Sequence, residues 1–134
     1  MILVSGCLLG ISCRYDGASR PCRNLPGFIS KAGSVVPVCP EQLGGLTTPR
    51  PPARLVGGDG FDVLAGRARV IRAEDGADLT GAFLAGAEEC LKLVRLLGLD
   101  RAVLKSGSPS CGLGQPTGVT AAALIMEGID VFEL

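Results

Sequence analysis

Short aliphatic runs recur along this chain, and each stops abruptly at turn-forming or polar residues. The runs are too short for helices and lack the strict alternation of half-buried strands. Uninterrupted apolar runs of this length are typical of strands that are covered on both faces. The pattern therefore predicts three buried strands, at residues 1–5, 34–38 and 101–105, and a closing strand at 129–132.

Helical spacing occurs between these strands. The clearest helix is predicted to begin at Asp78 or Thr80 and to stop at Gly98, because its apolar residues recur every three or four positions, at Phe83, Leu84, Ala87, Leu91, Val94 and Leu97. A second helix is predicted over 119–126, ending at Gly128, and a short one over 25–31.

The remaining segments have turn-forming compositions. Residues 8–23 and 40–60 are predicted as irregular loops, and 62–71 as a small ribbon. Long loops in compact domains usually bind something. Strands that alternate with helices predict an α/β fold, a doubly wound, mainly parallel sheet with helices on both faces, and the 134 residues suit a single domain, 1–134.

Charge and hydropathy exclude two classes of partner. The 13 basic and 13 acidic residues cancel, so the basic surface that binds nucleic acid is not expected. No apolar run approaches the roughly 20 residues that cross a bilayer, so no membrane partner is expected. Only six residues precede Cys7, too few for a secretion signal, and the chain is predicted to be cytoplasmic.

The chain has six cysteines and no histidine. In a reducing compartment, thiols in a chain with enough aliphatic residues for a core are more often metal ligands or reactive groups than disulfides. Without histidine, any proton transfer must use a carboxylate, Lys, Tyr, Cys or bound water.

Three of the cysteines follow predicted strands. Cys7, Cys39 and Cys111 come after the runs 1–5, 34–38 and 101–105, and the carboxyl ends of parallel strands meet at one edge of a sheet. A convergent three-thiolate site suits soft metals, including a 4Fe-4S cluster with one open iron. The alternative is that these cysteines are small buried hydrophobic residues, and this is the preferred interpretation for Cys90 in the helix.

Two further cysteines, Cys13 and Cys22, lie in the first loop beside basic residues, where positive charge lowers a thiol pKa. Either could be a fourth ligand, a resolving thiol or an incidental loop cysteine. Glu41, two residues after Cys39, is a candidate acid/base if it is buried, and an ordinary solvated glutamate if it is not.

Polar side chains near these cysteines are candidates for substrate contacts. The hydroxyl groups of Ser106, Ser108 and Ser110 could orient a water molecule or a substrate, or could simply stabilise turns. Guanidinium and carboxylate groups match the carbonyl and N–H groups of a planar polar ligand, although surface ion pairs are an alternative role. The residues that offer such groups for ligand binding are Arg14, Asp16 and Arg50, and Tyr15 lies between the first two in the sequence.

Three segments form a recognisable set. They are Val4-Ser5-Gly6-Cys7-Leu8-Leu9-Gly10 with Cys13-Arg14-Tyr15-Asp16-Gly17, Pro37-Val38-Cys39-Pro40-Glu41-Gln42-Leu43-Gly44-Gly45 with Thr48-Pro49-Arg50, and Lys105-Ser106-Gly107-Ser108-Pro109-Ser110-Cys111-Gly112. Together they resemble the DUF523 family, which includes thiouracil desulfidase. The resemblance spans almost the whole chain.

This resemblance implies an enzyme that removes sulfur from a small thiolated substrate such as 2-thiouracil without net redox change. It implies a 4Fe-4S cluster on Cys7, Cys39 and Cys111, whose open iron takes the sulfur. It further implies Glu41 as the acid/base and Ser108 as a hydroxyl that positions substrate or water. A sulfur or metal carrier and a structural zinc protein are the alternatives that the residues themselves leave open.

One segment departs from the family pattern. Relatives carry a longer stretch before the last helix, whereas here Gly112 and Gly118 are joined by only five residues, 113–117. The missing residues could form a lid, so this departure bears on the identity of the substrate and on activity itself.

Overall fold

The computed structural model describes residues 1–23 and 25–134, apart from the side chains of residues 28, 29 and 32. The helices α1 to α5 and strands β1 to β6 follow in the order β1 Ile2–Ser5, α1 Leu25–Ala32, β2 Val35–Val38, α2 Pro40–Leu43, β3 Ala53–Val56, α3 Gly60–Leu64, β4 Arg69–Arg72, α4 Thr80–Leu97, β5 Arg101–Leu104, α5 Val119–Met126 and β6 Asp130–Glu133. A short 3-10 helix at Gly6–Leu9 follows β1.

The main sheet has the strand order β2-β1-β5-β6, and every neighbouring pair is parallel. The chain passes from β1 outward to β2 and later returns to the other side of β1 with β5, so the winding direction reverses between β1 and β5. The prediction of a mainly parallel α/β sheet is confirmed. In such sheets the crevice for a ligand lies at the carboxyl ends of the strands beside this reversal.

The central strands β1 and β5 are buried on both faces, as their uninterrupted apolar runs predicted, whereas the edge strands β2 and β6 are only partly buried, with Pro37 of β2 exposed. Leu3 of β1 belongs to a cluster on one face with residues of α4 and α5 such as Val94 and Leu124. Its neighbour Val4 belongs to a cluster on the other face with Leu25 of α1. Alternate side chains of one strand therefore enter two cores, and burying each such side chain contributes about 1.5–3 kcal/mol.

Helix α4 agrees closely with its predicted bounds. Its apolar face is buried at Phe83, Ala87 and Val94. Gly98 ends it in the left-handed conformation (φ 65°), with its N–H donating to the carbonyl of Val94. The other predicted helices and the four predicted strands also form, with ends within about two residues of expectation. Within the described part of the chain, no helix has the length and apolar character needed to cross a membrane.

The segment 40–60 is where the sequence prediction was wrong, because it is not an irregular loop. It contains the four-residue helix α2 and the strand β3, which pairs antiparallel with β4. Pro40 ends strand β2 and also supplies the fixed φ of the first helical residue of α2. The predicted ribbon over 62–71 is confirmed only in part. Residues 62–64 belong to helix α3, and residues 69–71 belong to strand β4.

Helix α2 lies directly against α4 because two glycines remove the side chains between them. A Cβ atom on Gly86 of α4 would collide with the carbonyl oxygen of Pro40, and one on Gly44 would collide with the carbonyl oxygen of Ala82. The backbones therefore touch, and this contact fixes the position of α2 at the edge of the sheet.

Candidate active site

A cavity of about 360 Å³ opens at the carboxyl ends of β1, β2 and β5, beside the reversal in strand order. Cys7, Cys39 and Cys111 follow these three strands, and all three line the cavity. The predicted convergence of distant cysteines is therefore present in the structure. Cys13 also lines the cavity, whereas neither Cys22 nor Cys90 does.

Each of the three cysteines is held by a different local structure. Cys7 lies in the 3-10 helix, and its carbonyl accepts hydrogen bonds from the N–H groups of Gly10 and Arg20. Cys39 is the residue before α2, with an extended backbone. Cys111 lies in a turn in which its N–H donates to Oγ of Ser108 at 3.1 Å. None of the six cysteines forms a disulfide.

The surroundings raise the pKa of three thiols in the cavity, those of Cys7, Cys13 and Cys111. Burial raises the pKa of Cys7, although the guanidinium of Arg14 acts in the opposite direction. Burial raises the pKa of Cys111 to about 12, against hydrogen bonds with Ser5 and Ser110. Burial and the neighbouring thiols, Cys39 first, raise the pKa of Cys13 to about 12. A metal centre bound here would therefore displace thiol protons.

The donor set of the cavity suits a thiolate-bound metal centre. Across residues 1–23 and 25–134, no three Cys, Asp or Glu side chains are grouped closely enough to hold one metal ion. Three free thiols that reach one cavity from three separate strands match the cysteine ligands of an iron-sulfur cluster, which is much larger than one ion. A cluster on Cys7, Cys39 and Cys111 is thus compatible with these residues.

Glu41 lies in the first turn of α2, not in a loop as the sequence suggested, and its side chain lines the cavity. Only 13% of this side chain is exposed. Both carboxylate oxygens have partners. Arg50 Nε donates to Oε1 at 3.0 Å, and Ser110 Oγ donates to Oε2 at 3.0 Å. The alternative of a solvated loop glutamate does not describe this residue.

Arg50 was a candidate for substrate binding, yet the protein itself uses its guanidinium donors. Besides Glu41, it donates to Oγ1 of Thr48 at 3.0 Å and to the carbonyl of Cys13 at 3.1 Å. Nη2 lies 3.9 Å from Sγ of Cys39. Arg50 therefore braces the cavity wall by joining the segment after α2 to the first loop.

Three serines after β5 occupy different positions. Ser108 Oγ accepts from the N–H groups of Ser110 and Cys111, and Ser110 Oγ contacts Glu41. Ser106 Oγ accepts from Nζ of Lys105 at 3.0 Å. All three serines and Lys105 line the cavity. Sequence reasoning named Ser110 only as one loop hydroxyl, because its contact with Glu41 joins residues that are 69 positions apart.

The first loop contributes Arg14 and Tyr15 to the cavity, with the guanidinium carbon of Arg14 5.7 Å from the centre of the Tyr15 ring. Arg20, which the sequence analysis did not single out, also lines it. Asp16 does not. Its carboxylate accepts from the N–H of Ala18 at 2.9 Å and lies 3.8 Å from Nε of Arg14, so it stabilises the turn and the position of Arg14.

A carboxylate from β6 binds the backbone of the short segment 113–117. Glu133 Oε2 accepts from the N–H groups of Leu113 and Gly114 at 2.7 and 3.1 Å. Thr117 Oγ1 then bonds back to the carbonyls of Leu113 and Gly114. These contacts tie the loop that carries Cys111 to the last strand.

Fold and cavity together define an α/β protein with a thiol-lined site and one buried carboxylate at the switch point of a doubly wound sheet. The model of the 2-thiouracil desulfurase family matches residues 2–133, and the chain belongs to this family. Membership makes it an enzyme of the desulfidase type, as the resemblance in its motifs implied.

Two relatives extend this comparison. The chain is 39% identical over 143 residues to the uncharacterized protein YbbK of Bacillus subtilis (strain 168), covering 98% of this chain and 93% of YbbK. It is also 39% identical to the solved structure of TudS, a 4Fe-4S-dependent thiouracil desulfidase, with a TM-score of 0.83 over 98% of this chain and 89% of that one. The alignment with YbbK is longer than the 134 residues here, so YbbK has residues without a counterpart in this chain.

Proposed function

We propose that this chain removes sulfur from a thiolated pyrimidine such as 2-thiouracil, with a 4Fe-4S cluster held by Cys7, Cys39 and Cys111. The observation that carries the proposal is that these three thiols and the buried carboxylate of Glu41 line one cavity. Its volume of about 360 Å³ falls within the range of about 300–1,000 Å³ that is typical of small-molecule sites. The likeness to TudS supports the choice of cofactor and substrate class.

The net reaction exchanges one atom and no electrons. A thiocarbonyl and water give a carbonyl and hydrogen sulfide, so the water loses two protons and the departing sulfur gains them. A 4Fe-4S cluster bound through three cysteines supplies one iron without a protein ligand, and iron has a high affinity for sulfur.

Glu41 is the residue proposed to move the proton. Its carboxylate accepts a proton from the attacking water and returns it to the departing sulfur, and then does the same with the second proton, that of the hydroxyl group left on the ring carbon, which is general acid/base catalysis. No histidine exists to do this, and Glu41 is the carboxylate among the described residues that line the cavity. Arg50 and Ser110 hold the carboxylate in place while it acts.

Other side chains that line the cavity orient the ring of the substrate. Arg14, Tyr15 and Ser106 are the proposed contacts, because a guanidinium, a phenol and a hydroxyl match the carbonyl and N–H groups of a thiolated pyrimidine. Lys105 and Arg20 add positive charge to the same cavity. This charge offsets the negative charge of a thiolate-bound cluster and favours an electron-rich substrate.

Anaerobic reconstitution with iron and sulfide tests the proposal, followed by analysis of both elements, an absorption spectrum and assay of uracil release from 2-thiouracil. About four irons and four sulfides per chain are expected for this cluster type, together with catalytic release of uracil. A protein that takes up zinc alone contradicts the proposed cofactor. A loaded protein that binds sulfide but converts no thiolated pyrimidine contradicts the proposed reaction.

A further inference from the structure

The cavity holds a fourth thiol that the proposed reaction does not use. Cys13 lines the cavity together with the three proposed ligands, and this residue is only 2% exposed. The other two cysteines of the chain, Cys22 and Cys90, do not line it. A buried thiol beside another thiol is either a packing residue or a group that reacts with its neighbour.

Several contacts hold Cys13 against Cys39, although the two residues are 26 positions apart. Sγ of Cys39 donates to the carbonyl oxygen of Cys13 at 3.5 Å. Nη2 of Arg50 donates to the same carbonyl oxygen at 3.1 Å and lies 3.9 Å from Sγ of Cys39. Burial and the charge of Cys39 raise the pKa of Cys13, and a hydrogen bond between the two side chains adds to this effect. The two sulfur atoms are therefore neighbours in the cavity wall.

The other two thiols of the cavity have different surroundings. Oγ of Ser110 lies 3.8 Å from Sγ of Cys111, and the side-chain hydrogen bonds of Cys111 are with serines. Cys39 acts on the pKa of Cys7 through its charge. Cys13, which is joined to Cys39 by hydrogen bonds as well, is the favoured reaction partner of Cys39.

Exposure decides which thiol of this pair an oxidant reaches first. Cys39 is half-buried, whereas Cys7, Cys13 and Cys111 are buried. A small oxidant that enters the cavity therefore meets Cys39 first. Peroxide converts a thiol to a sulfenic acid, which condenses with a neighbouring thiol to a disulfide, whereas further oxidation to a sulfinic acid is irreversible in most proteins.

We infer that Cys39 and Cys13 form a modification site for hydrogen peroxide, with Cys13 as the resolving thiol. In the first step the Cys39 thiol attacks one peroxide oxygen, the O–O bond breaks, and the products are the sulfenic acid of Cys39 and water. In the second step the sulfur of Cys13 attacks the sulfur of Cys39, the S–O bond breaks, and a second water leaves as the disulfide forms. The two thiols lose two electrons in total, and the peroxide takes them up.

The modification matters because Cys39 is a proposed cluster ligand, and in this respect the inference rests on the proposed function. Thiols can reduce a disulfide again, while a sulfinic acid would remove this ligand permanently. The second step is intramolecular, so it competes well with a second peroxide molecule from solution. Cys13 thus protects the ligand in a chain that has not yet received its cluster.

The full chain, prepared without iron and fully reduced, tests the inference after brief exposure to a small excess of hydrogen peroxide. Free thiols are then alkylated in denaturant, and the peptides are mapped by mass spectrometry. A pair of peptides joined through Cys13 and Cys39 is expected, with Cys7 and Cys111 alkylated. Dithiothreitol followed by anaerobic reconstitution should then give the iron and sulfide content of an untreated sample.

Two variants sharpen this test. Cys13→Ala removes the resolving thiol but leaves the backbone carbonyl that Cys39 and Arg50 contact. Untreated, it should take up iron and sulfide as the wild type does. After peroxide, Cys39 should carry a sulfinic acid, and dithiothreitol should not restore the loss of loading. Cys22→Ala is the matched control, because it removes the other thiol of the first loop, which does not line the cavity, and it should respond like the wild type.

Three results would overturn the inference. The first is a wild type in which Cys39 remains free, becomes sulfinic or is linked to Cys7 or Cys111. The second is equal recovery after peroxide in Cys13→Ala and the wild type. The third is loss of loading in untreated, folded Cys13→Ala, because Cys13 would then be a ligand.

The outcomes also keep this inference separate from the proposed function. Mapping of the wild type needs no variant, so it decides the linkage even if Cys13→Ala fails to fold. The linkage is read without any substrate. A loaded protein that converts no thiolated pyrimidine would therefore remove the proposed function while the disulfide between Cys13 and Cys39 still forms.

Discussion

Arg50 and Glu41 form an ion pair with 3.0 Å between Nε and Oε1, and their side chains are only 6% and 13% exposed. Most ion pairs in this protein are far more exposed, such as Arg67 with Asp62, where 69% and 33% are exposed. A buried pair of this kind contributes little net stability, because desolvation of both charges offsets their attraction. The effect of this ion pair is instead to hold the Glu41 carboxylate in a fixed position in the cavity.

Removing one charge of this pair should be costly. Arg50→Met leaves the Glu41 carboxylate buried without its cationic partner, which typically costs about 3–5 kcal/mol. The free energy of unfolding, measured with urea, should fall by that order, and desulfuration should fall as well. Arg67→Met is the control at an exposed pair and should change unfolding little. Equal effects at the two sites would contradict the assigned burial.

Substitution of the carboxylate itself should separate chemistry from cofactor binding. Glu41→Gln retains size, one acceptor oxygen for Arg50 and an NH2 group that can donate to Oγ of Ser110, so cluster loading should be unaffected. Loss of general acid/base assistance should lower turnover by about 100- to 10,000-fold. Uracil release per loaded cluster is the measurement to make. Turnover at the wild-type level would exclude Glu41 from the mechanism.

The proposed ligands can be tested one at a time. Cys7→Ser, Cys39→Ser and Cys111→Ser should each fail to assemble a complete cluster, judged by iron and sulfide content and by the absorption spectrum. Cys90→Ala and Cys22→Ser should assemble it normally, because neither residue lines the cavity. Full cluster content in Cys39→Ser would refute the assignment.

The close contact between α2 and α4 gives a prediction at a site remote from the reaction. Gly86→Ala places a methyl group against the carbonyl of Pro40, so α2 must shift, at a typical overpacking cost of about 1–3 kcal/mol. Turnover should fall too, because Glu41 moves with α2. Gly81→Ala lies in the same helix with nothing within 4 Å, and it should stabilise the protein by up to about 1 kcal/mol. If both variants behave alike, the contact does not position the site.

The folding stability of the protein at acid pH should depend in part on Asp62 in the first turn of α3. Hydrogen bonds from the backbone of Asp59 and from Arg67 hold the pKa of Asp62 below its ordinary value. A carboxyl group with a lowered pKa contributes stability above its unfolded-state pKa and loses it as the pH falls through the folded-state value. Asp62→Asn should therefore destabilise the protein at pH 7 more than at pH 3, in thermal melts at both pH values. A difference of the same size at both would contradict this.

The parts of the fold that could be predicted are those whose sequence pattern is set by burial alone. Strands β1 and β5 are buried runs, and α4 shows regular spacing over 18 residues. Helix α2 could not be found, because four residues show no period and because Pro40 serves both as the end of a strand and as the start of a helix. Strand β3 was hidden among prolines, and only its pairing with β4 defines it.

The convergence of the cysteines followed from topology, since the ends of parallel strands share one edge. The partners of Glu41 did not follow, because Arg50 lies 9 positions and Ser110 lies 69 positions from it in the sequence, and only the fold brings them together. Arg50 illustrates the same limit. Its charge suggested a ligand contact, while the fold directs its donors to Glu41, Thr48 and the backbone of Cys13.

The bond from Leu113 to Glu133 has a consequence for the order in which the site is completed during synthesis. Cys7 and Cys39 leave the ribosome early, but the loop of Cys111 is tied down by Glu133 and by Leu134, whose carbonyl accepts from the N–H of Ser106. The third wall of the cavity cannot close while these residues are still inside the exit tunnel. Binding of any group that needs all three walls of the cavity therefore follows translation of this segment.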